Sequence, residues 1–268
     1  MPVKGFDTPH LLPVLKHPGH TGLYIDNLIF KNREEVFAGS ICFCRFLSPE
    51  EHKTALSRLQ TGEREYYDTI KSEKRRKDYL LGRYSAKLAV AKLTGEQEPD
   101  IVTVEKGDSG QPVLRYRSFA DIQVSITHTG DFGAAAVFPK TCPLGIDLEK
   151  VSPGRAKVLA KKMTDGEKKL LENTNIPRDR GLIMVWTAKE ALSKLLKTGF
   201  TIPFDMFEIS EMTSGNHGQA AVYFRNFPGY KSLFLDLGSY GFSIAFSGAL
   251  EPGINSAALK EFFLREEK

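Results

Sequence analysis

The chain has 268 residues, 41% hydrophobic and 26% charged, which fits a folded protein of one large or two ordinary domains and excludes a disordered one. No apolar run reaches the roughly 18 residues of a membrane span. The net charge of +4 is too small to argue nucleic-acid binding and suits an anionic substrate. The three cysteines, Cys42, Cys44 and Cys142, include no C-x-x-C pair, which predicts a reducing compartment and no disulfide framework. No apolar stretch follows Lys4, so no secretory signal is read and the expected location is cytoplasmic.

Residues 1–20 are rich in proline and read as an arm. Aromatic and β-branched runs over 22–30 and 36–46 predict strands. Ser48, Pro49 and Glu51 then open a helix as N-cap, first helical residue and capping-box partner. Over 71–93, Tyr79, Leu80, Tyr84, Leu88, Ala89 and Leu93 recur at helical spacing, and Gly95 ends the helix. Its start carries Lys71, Lys74, Arg75, Arg76 and Lys77, which describe either a solvated face or an anion site. A strand over 101–105 leads into Lys106-Gly107-Asp108-Ser109-Gly110-Gln111-Pro112, a turn by composition. In Val124-Ser125-Ile126-Thr127-His128-Thr129-Gly130, the polar residues around His128 make an open turn able to offer backbone N–H groups and an imidazole to an anion. The other reading of His128 is a structural histidine. Residues 133–138 read as a buried strand.

Gly145-Ile146-Asp147-Leu148-Glu149-Lys150 reads as a strand whose alternation puts Asp147 and Glu149 on one face, Ile146 and Leu148 on the other. A helix is predicted over 155–173, with Lys157, Lys161, Lys162, Lys168 and Lys169 on its polar positions. The next helix contains Trp186-Thr187-Ala188-Lys189-Glu190-Ala191-Leu192-Ser193-Lys194, in which Glu190 and Lys194 project together and Trp186 packs as core. Strands over 207–209, 220–224, 232–237 and 240–247 and a terminal helix complete the chain. Taken singly, alternating acids describe a solvated strand face, and a Glu/Lys pair four apart a surface ion pair of roughly 0.2–0.5 kcal/mol. Together, two strand carboxylates and one helix carboxylate can converge on a hard cation such as Mg²⁺, which takes oxygen ligands and shares them with substrate phosphates. Lys194 can hold the same phosphate as a point charge.

In combination and in this order, the two motifs resemble the G-I-D-x-E strand and W-[ST]-x-K-E-A-x-x-K helix of the 4'-phosphopantetheinyl transferases, in the larger Sfp-type class. That resemblance implies an α+β fold of two similar α+β halves about a pseudo-twofold, with coenzyme A in the cleft between them. The implied divisions are an arm over 1–20, an N-terminal half over 21–140 and a C-terminal half over 141–268 with the metal site. The implied reaction is Mg²⁺-dependent transfer of 4'-phosphopantetheine from coenzyme A to a serine of an apo acyl or peptidyl carrier protein, releasing adenosine 3',5'-bisphosphate.

Carried over residue by residue, the resemblance makes Asp147, Glu149 and Glu190 metal ligands, and Glu190 and Lys194 catalytic: Glu190 as a candidate base, Lys194 against charge on the transferred phosphoryl group. Coenzyme A would meet Lys74, Arg83 and Lys87 on the basic helix, Gly110, Gln111 and Pro112 in the turn, Ser125, Thr127 and His128 beyond it, and Lys194. The sequence departs from the family pattern at Gln111, where lysine is common, at Ser125 and Thr127, which stand for Asn and Ser, and at Met163, which stands for Phe. The implied protein is a monomer without nucleic-acid or membrane partners, its acceptor surface placed by analogy at the basic rim over 157–169. Two alternatives stay open: a metal-dependent phosphotransferase or phosphohydrolase acting on another nucleotide, and a non-catalytic coenzyme A-binding relative.

Overall fold

Leu23–Lys31 (β1) and Val36–Cys44 (β2) pair antiparallel around a turn fixed by Asn32, whose Oδ1 accepts from the backbone N of Glu34 and Glu35 at 2.8 Å each. The computed structural model describes residues 22–268 except 109, 117–120, 216–217 and 266–268. The arm expected over 1–20 therefore lies outside the described residues, as does Ser109 of the predicted turn. Helices Pro49–Ser57 (α1), Thr61–Thr69 (α2) and Glu73–Thr94 (α3) follow. Gly95 closes α3 at φ +76°, a left-handed C-cap that glycine adopts without Cβ strain. A hairpin of Thr103–Lys106 (β3) and Pro112–Arg115 (β4) precedes a second one, Ile122–Thr129 (β5) and Phe132–Pro139 (β6). The strand expected over 101–105 begins later, because Pro99–Ile101 forms a 3-10 turn.

The second unit opens with Gly145–Lys150 (β7) and continues through helices Pro153–Ala160 (α4), Asp165–Glu172 (α5) and Arg178–Leu195 (α6). The single helix expected over 155–173 is in fact two. Thr164 stops the first by capping the second: its hydroxyl accepts from Glu167 N at 3.2 Å, and its own N donates to Glu167 Oε2 at 2.9 Å. Hairpins Ile209–Ser214 (β8) with Gln219–Phe224 (β9), and Tyr230–Asp236 (β10) with Tyr240–Ser247 (β11), follow. Residues 204–207 form a 3-10 turn, which delays the strand expected over 207–209. A short strand, Glu251–Gly253 (β12), and a helix, Ser256–Arg265 (α7), end the described chain.

The fold is α+β, and its described residues form two compact units: those up to 143 with 251–254, and those from 144 to 250 with those from 255 on. Each contains a five-stranded antiparallel sheet, ordered β12-β1-β2-β6-β5 in the first and β7-β11-β10-β9-β8 in the second. Their internal plan repeats. A strand (β2 or β7) leads to three helices, then two hairpins, and the last strand (β6 or β11) pairs back to the first. In each unit the third, longest helix packs on the sheet, with Leu80, Leu81, Leu88 and Val90 of α3 and Ile183, Ala188, Ala191 and Leu192 of α6 buried in the two cores. The three cysteines are buried and free. No described helix is long and apolar enough to cross a membrane.

Candidate active site

The site is built where β7 meets α6. Gly145, Asp147 and Glu149 share the strand face that turns toward the helix, while Ile146 and Leu148 are fully buried on the other face. Gly145 sets the spacing. A Cβ there would lie 2.0 Å from the Ala191 carbonyl oxygen and 2.6 Å from Leu195 N, so only glycine lets α6 approach this closely. A Cβ on Gly241 would likewise strike Ile183 Cγ2 at 2.6 Å. The close approach is tied by Thr187 Oγ1 and Ser243 Oγ, 2.7 Å apart. It brings the next helix positions, Glu190 and Lys194, against the strand carboxylates.

Lys194 Nζ donates to Asp147 Oδ1 at 2.7 Å and to the Ile146 carbonyl at 3.1 Å. Glu190 Oε1 is buried and has no hydrogen-bond partner among the described residues. Its pKa is pushed up to about 7, first by burial and then by the charge of Asp147, against the opposing pull of Lys194. A buried carboxylate beside another is short of positive charge, and hard oxygen donors of this kind fit a divalent cation such as Mg²⁺.

The three carboxylates expected as metal ligands, Asp147, Glu149 and Glu190, are not drawn together around one point. Among the described residues no three His, Cys, Asp or Glu side chains gather closely enough to hold a metal. Mutual repulsion is relieved by separate cations: Asp147 pairs with Lys194, and Glu149 forms an ion pair with Arg155. Trp186 does more than pack as core. It is half-buried, its ring tilts on Phe204 with centroids 4.7 Å apart, and its Nε1 donates to Glu149 Oε1 at 3.2 Å.

The first unit holds a cavity of about 780 Å³ walled by α2, α3 and the β3–β4 hairpin, within the range of small-molecule sites. Arg83, Gly110, Pro112 and His128 line it, as do Tyr79 and Lys106, which sequence reasoning had not singled out as ligands. The Arg83 guanidinium lies 3.9 Å over the Tyr79 ring, and its buried Nε has no hydrogen-bond partner among the described residues. His128 is exposed, with Nδ1 3.6 Å from Asp78 Oδ2. Lys74 is exposed in the first turn of α3 and does not line the cavity.

Three expectations change here. Lys87 is not available to a phosphate: it is fully buried, its Nζ 2.8 Å from Glu63 Oε2. Gln111 folds over Gly107, its Nε2 2.5 Å from where a Cβ would stand, and leaves the cavity wall to its neighbours. Ser125 and Thr127 are buried on the face of β5 opposite Ile126 and His128, because strand side chains alternate.

The buried pair of the first unit has a twin in the second, Lys189 with Glu167 at 2.6 Å. Each glutamate is the third residue of the second helix and accepts a backbone N–H from the strand ahead, Val104 at 2.9 Å or Ile209 at 3.0 Å. Ser40 Oγ reaches the Ala89 carbonyl where Gly145 abuts that of Ala191. Both matches align the units with the same helix offset, so Cys42 and Leu88 stand where the second unit has Asp147 and Glu190. The carboxylate site is present in the second unit and has no counterpart in the first.

Residues 143–241 match the model of the 4'-phosphopantetheinyl transferase superfamily, and residues 69–138 that of the 4'-phosphopantetheinyl transferase N-terminal domain. The chain is similar to the 4'-phosphopantetheinyl transferase of Bacillus subtilis, 25% identical over 138 residues, which are 51% of this chain and 59% of the relative. It is 27% identical over 154 residues to enterobactin synthase component D of Salmonella typhi, 56% of this chain and 61% of the relative. The chain thus spans about three fifths of the length of these curated relatives. The crystal structure of a holo-(acyl-carrier-protein) synthase from Bacillus anthracis in complex with CoA (3',5'-ADP) matches 45% of this chain and 96% of its own, at 21% identity and a TM-score of 0.33. With the superfamily model spanning the carboxylate site and the N-terminal model spanning the basic helix, the chain belongs to the 4'-phosphopantetheinyl transferase superfamily, in its larger, two-domain, Sfp-like form.

Proposed function

We propose that this protein is an enzyme that transfers 4'-phosphopantetheine from coenzyme A to a serine hydroxyl of an apo carrier protein, leaving adenosine 3',5'-bisphosphate. The observation that carries the reading is the contact of Lys194 with Asp147 at 2.7 Å beside the buried Oε1 of Glu190. Displacement at a diphosphate asks mainly for in-line positioning and charge neutralisation, with little covalent help from the protein. Asp147 and Glu190 would hold Mg²⁺, with Glu149 joining once it leaves Arg155. When bound, the ion supplies charge neutralisation on the diphosphate oxygens.

The remaining work falls to the chain itself. Lys194, between strand and helix, meets charge on the transferred phosphoryl group. Glu190, whose pKa of about 7 holds without metal, would take the serine proton only where it does not ligate the ion, because a metal-bound carboxylate is a poor base. Arg83, Lys106 and His128 give the cavity of the first unit an anion-binding wall suited to coenzyme A phosphates, with Gly110 and Pro112 admitting close backbone approach. We further propose an acyl or peptidyl carrier protein as the acceptor and a cytoplasmic location.

The test is direct. Incubated with coenzyme A, Mg²⁺ and a panel of apo carriers, the protein should add one phosphopantetheine to at least one carrier, read by intact mass. No mass gain on any carrier, with coenzyme A left whole, removes the proposal.

A further inference from the structure

Glu149 is held from two helices at once. Arg155, in the first turn of α4, forms an ion pair with its Oε1, and Trp186 of α6 donates Nε1–H to the same oxygen at 3.2 Å. The guanidinium carbon also lies 5.8 Å from the Trp186 ring centroid, so the three side chains close a triangle. The local chain fixes this arrangement. Glu149 is the penultimate residue of β7, and Ser152 caps α4 by accepting from the backbone N of Arg155 at 3.3 Å, which places the arginine one short turn from the carboxylate.

We infer that Arg155 is the built-in counter-cation of Glu149, which a divalent metal must displace to gain that carboxylate as a ligand. The inference rests on the metal reading proposed above. The guanidinium and a divalent cation carry like charge and cannot both occupy one carboxylate face, so the two compete. The competition is reversible, because the Arg155 side chain is 42% exposed and that of Glu149 14%. A guanidinium exposed to this extent can turn into solvent and resists displacement less than a buried one. Arg155 is therefore a positioning residue: it keeps Glu149 ordered and makes metal binding weaker than the three carboxylates alone would allow.

Trp186 is the only tryptophan in the chain, so its emission reports on the triangle without labelling. The experiment is a Mn²⁺ titration of the 268-residue chain without coenzyme A, read by calorimetry and by Trp186 fluorescence. The variants are Arg155→Gln, Arg155→Lys and Asp147→Ala, each checked for an unchanged melting transition. Wild type should bind Mn²⁺ with a change in emission, and Asp147→Ala should lose both signals. Arg155→Gln should bind Mn²⁺ about tenfold more tightly, the loss of one charge-assisted contact reduced by its exposure. Arg155→Lys should fall between the two, since an ammonium cannot make the forked contact, and it carries the test alone if Arg155→Gln fails to fold. Equal or weaker binding by the Arg155 variants, with wild type binding normally, overturns the inference and leaves the metal reading standing. No Mn²⁺ binding by wild type overturns both.

Discussion

Lys87 and Glu63 form an ion pair sealed from solvent, with Nζ 2.8 Å from Oε2 and both side chains at most 2% exposed. Burial pulls the lysine below its ordinary pKa, and Glu63 pulls the other way. The same carboxyl accepts from the backbone N of Gln60 at 3.0 Å and of Val104 at 2.9 Å, so one glutamate joins the start of α2, the middle of α3 and the strand β3. Removing one partner strands the other charge in the core. Lys87→Met should lower unfolding stability by about 3–5 kcal/mol, and Lys189→Met should do likewise. Urea unfolding checks both. A loss under 1 kcal/mol for Lys87→Met, with weaker coenzyme A binding, would restore Lys87 to the ligand set.

Gly145→Ala tests whether strand-to-helix spacing builds the site. The added methyl meets backbone 2.0 Å away, so α6 itself must shift. The expected loss is about 3 kcal/mol, at the upper end of overpacking costs. Displacing Glu190 and Lys194 by even 1 Å should lower kcat about a hundredfold in the fraction that folds. Thermal melts and initial rates on the same preparation check it, and near-wild-type values for both would refute the spacing argument.

The Glu190 carboxyl predicts a pH dependence with a definite sign. Its folded-state pKa of about 7 exceeds the ordinary 4.5, so between these values the folded protein keeps a proton the unfolded chain has lost. Stability therefore falls as pH rises through that window, and Mg²⁺ affinity rises as the competing proton leaves. Glu190→Gln does not ionise and should gain on wild type from about pH 5 to about pH 8, in the presence of chelator. The gain is on the order of 1–3 kcal/mol, reduced by partial exposure. A difference that is flat with pH contradicts the assignment.

His128 and Lys194 should divide binding from chemistry. His128 lines the cavity of the first unit, and Lys194 touches Asp147 in the carboxylate site. An interaction equal in ground and transition states acts on KM, and one made only in the transition state acts on kcat. His128→Ala should raise KM for coenzyme A, and Lys194→Ala should lower kcat. A charged hydrogen bond of roughly 1.5–3 kcal/mol makes each effect about one to two decades. Steady-state kinetics with coenzyme A varied would expose the reverse pattern.

Much of this protein is local enough to read along the chain. Period two put Asp147 and Glu149 on one strand face, period 3.6 put Glu190 and Lys194 on one helix face, and caps such as Ser48 and Gly95 stood at their helix ends. Local signals missed the break at Thr164, where a capping box overrides an amphipathic pattern that runs through it. What tertiary structure alone decided is the fate of each charge. Lys87 and Arg83 stand four apart on one basic helix, yet one is buried against Glu63 of α2 and the other stacks on Tyr79 and lines a cavity. Glu149 is claimed by Arg155 and Trp186 through the placement of α4 and α6, which no spacing along β7 encodes. Periodicity fixes which way a side chain points from its own element. Its partner depends on what packs opposite, and that is set by long-range burial and by close approaches such as Gly145 on Ala191.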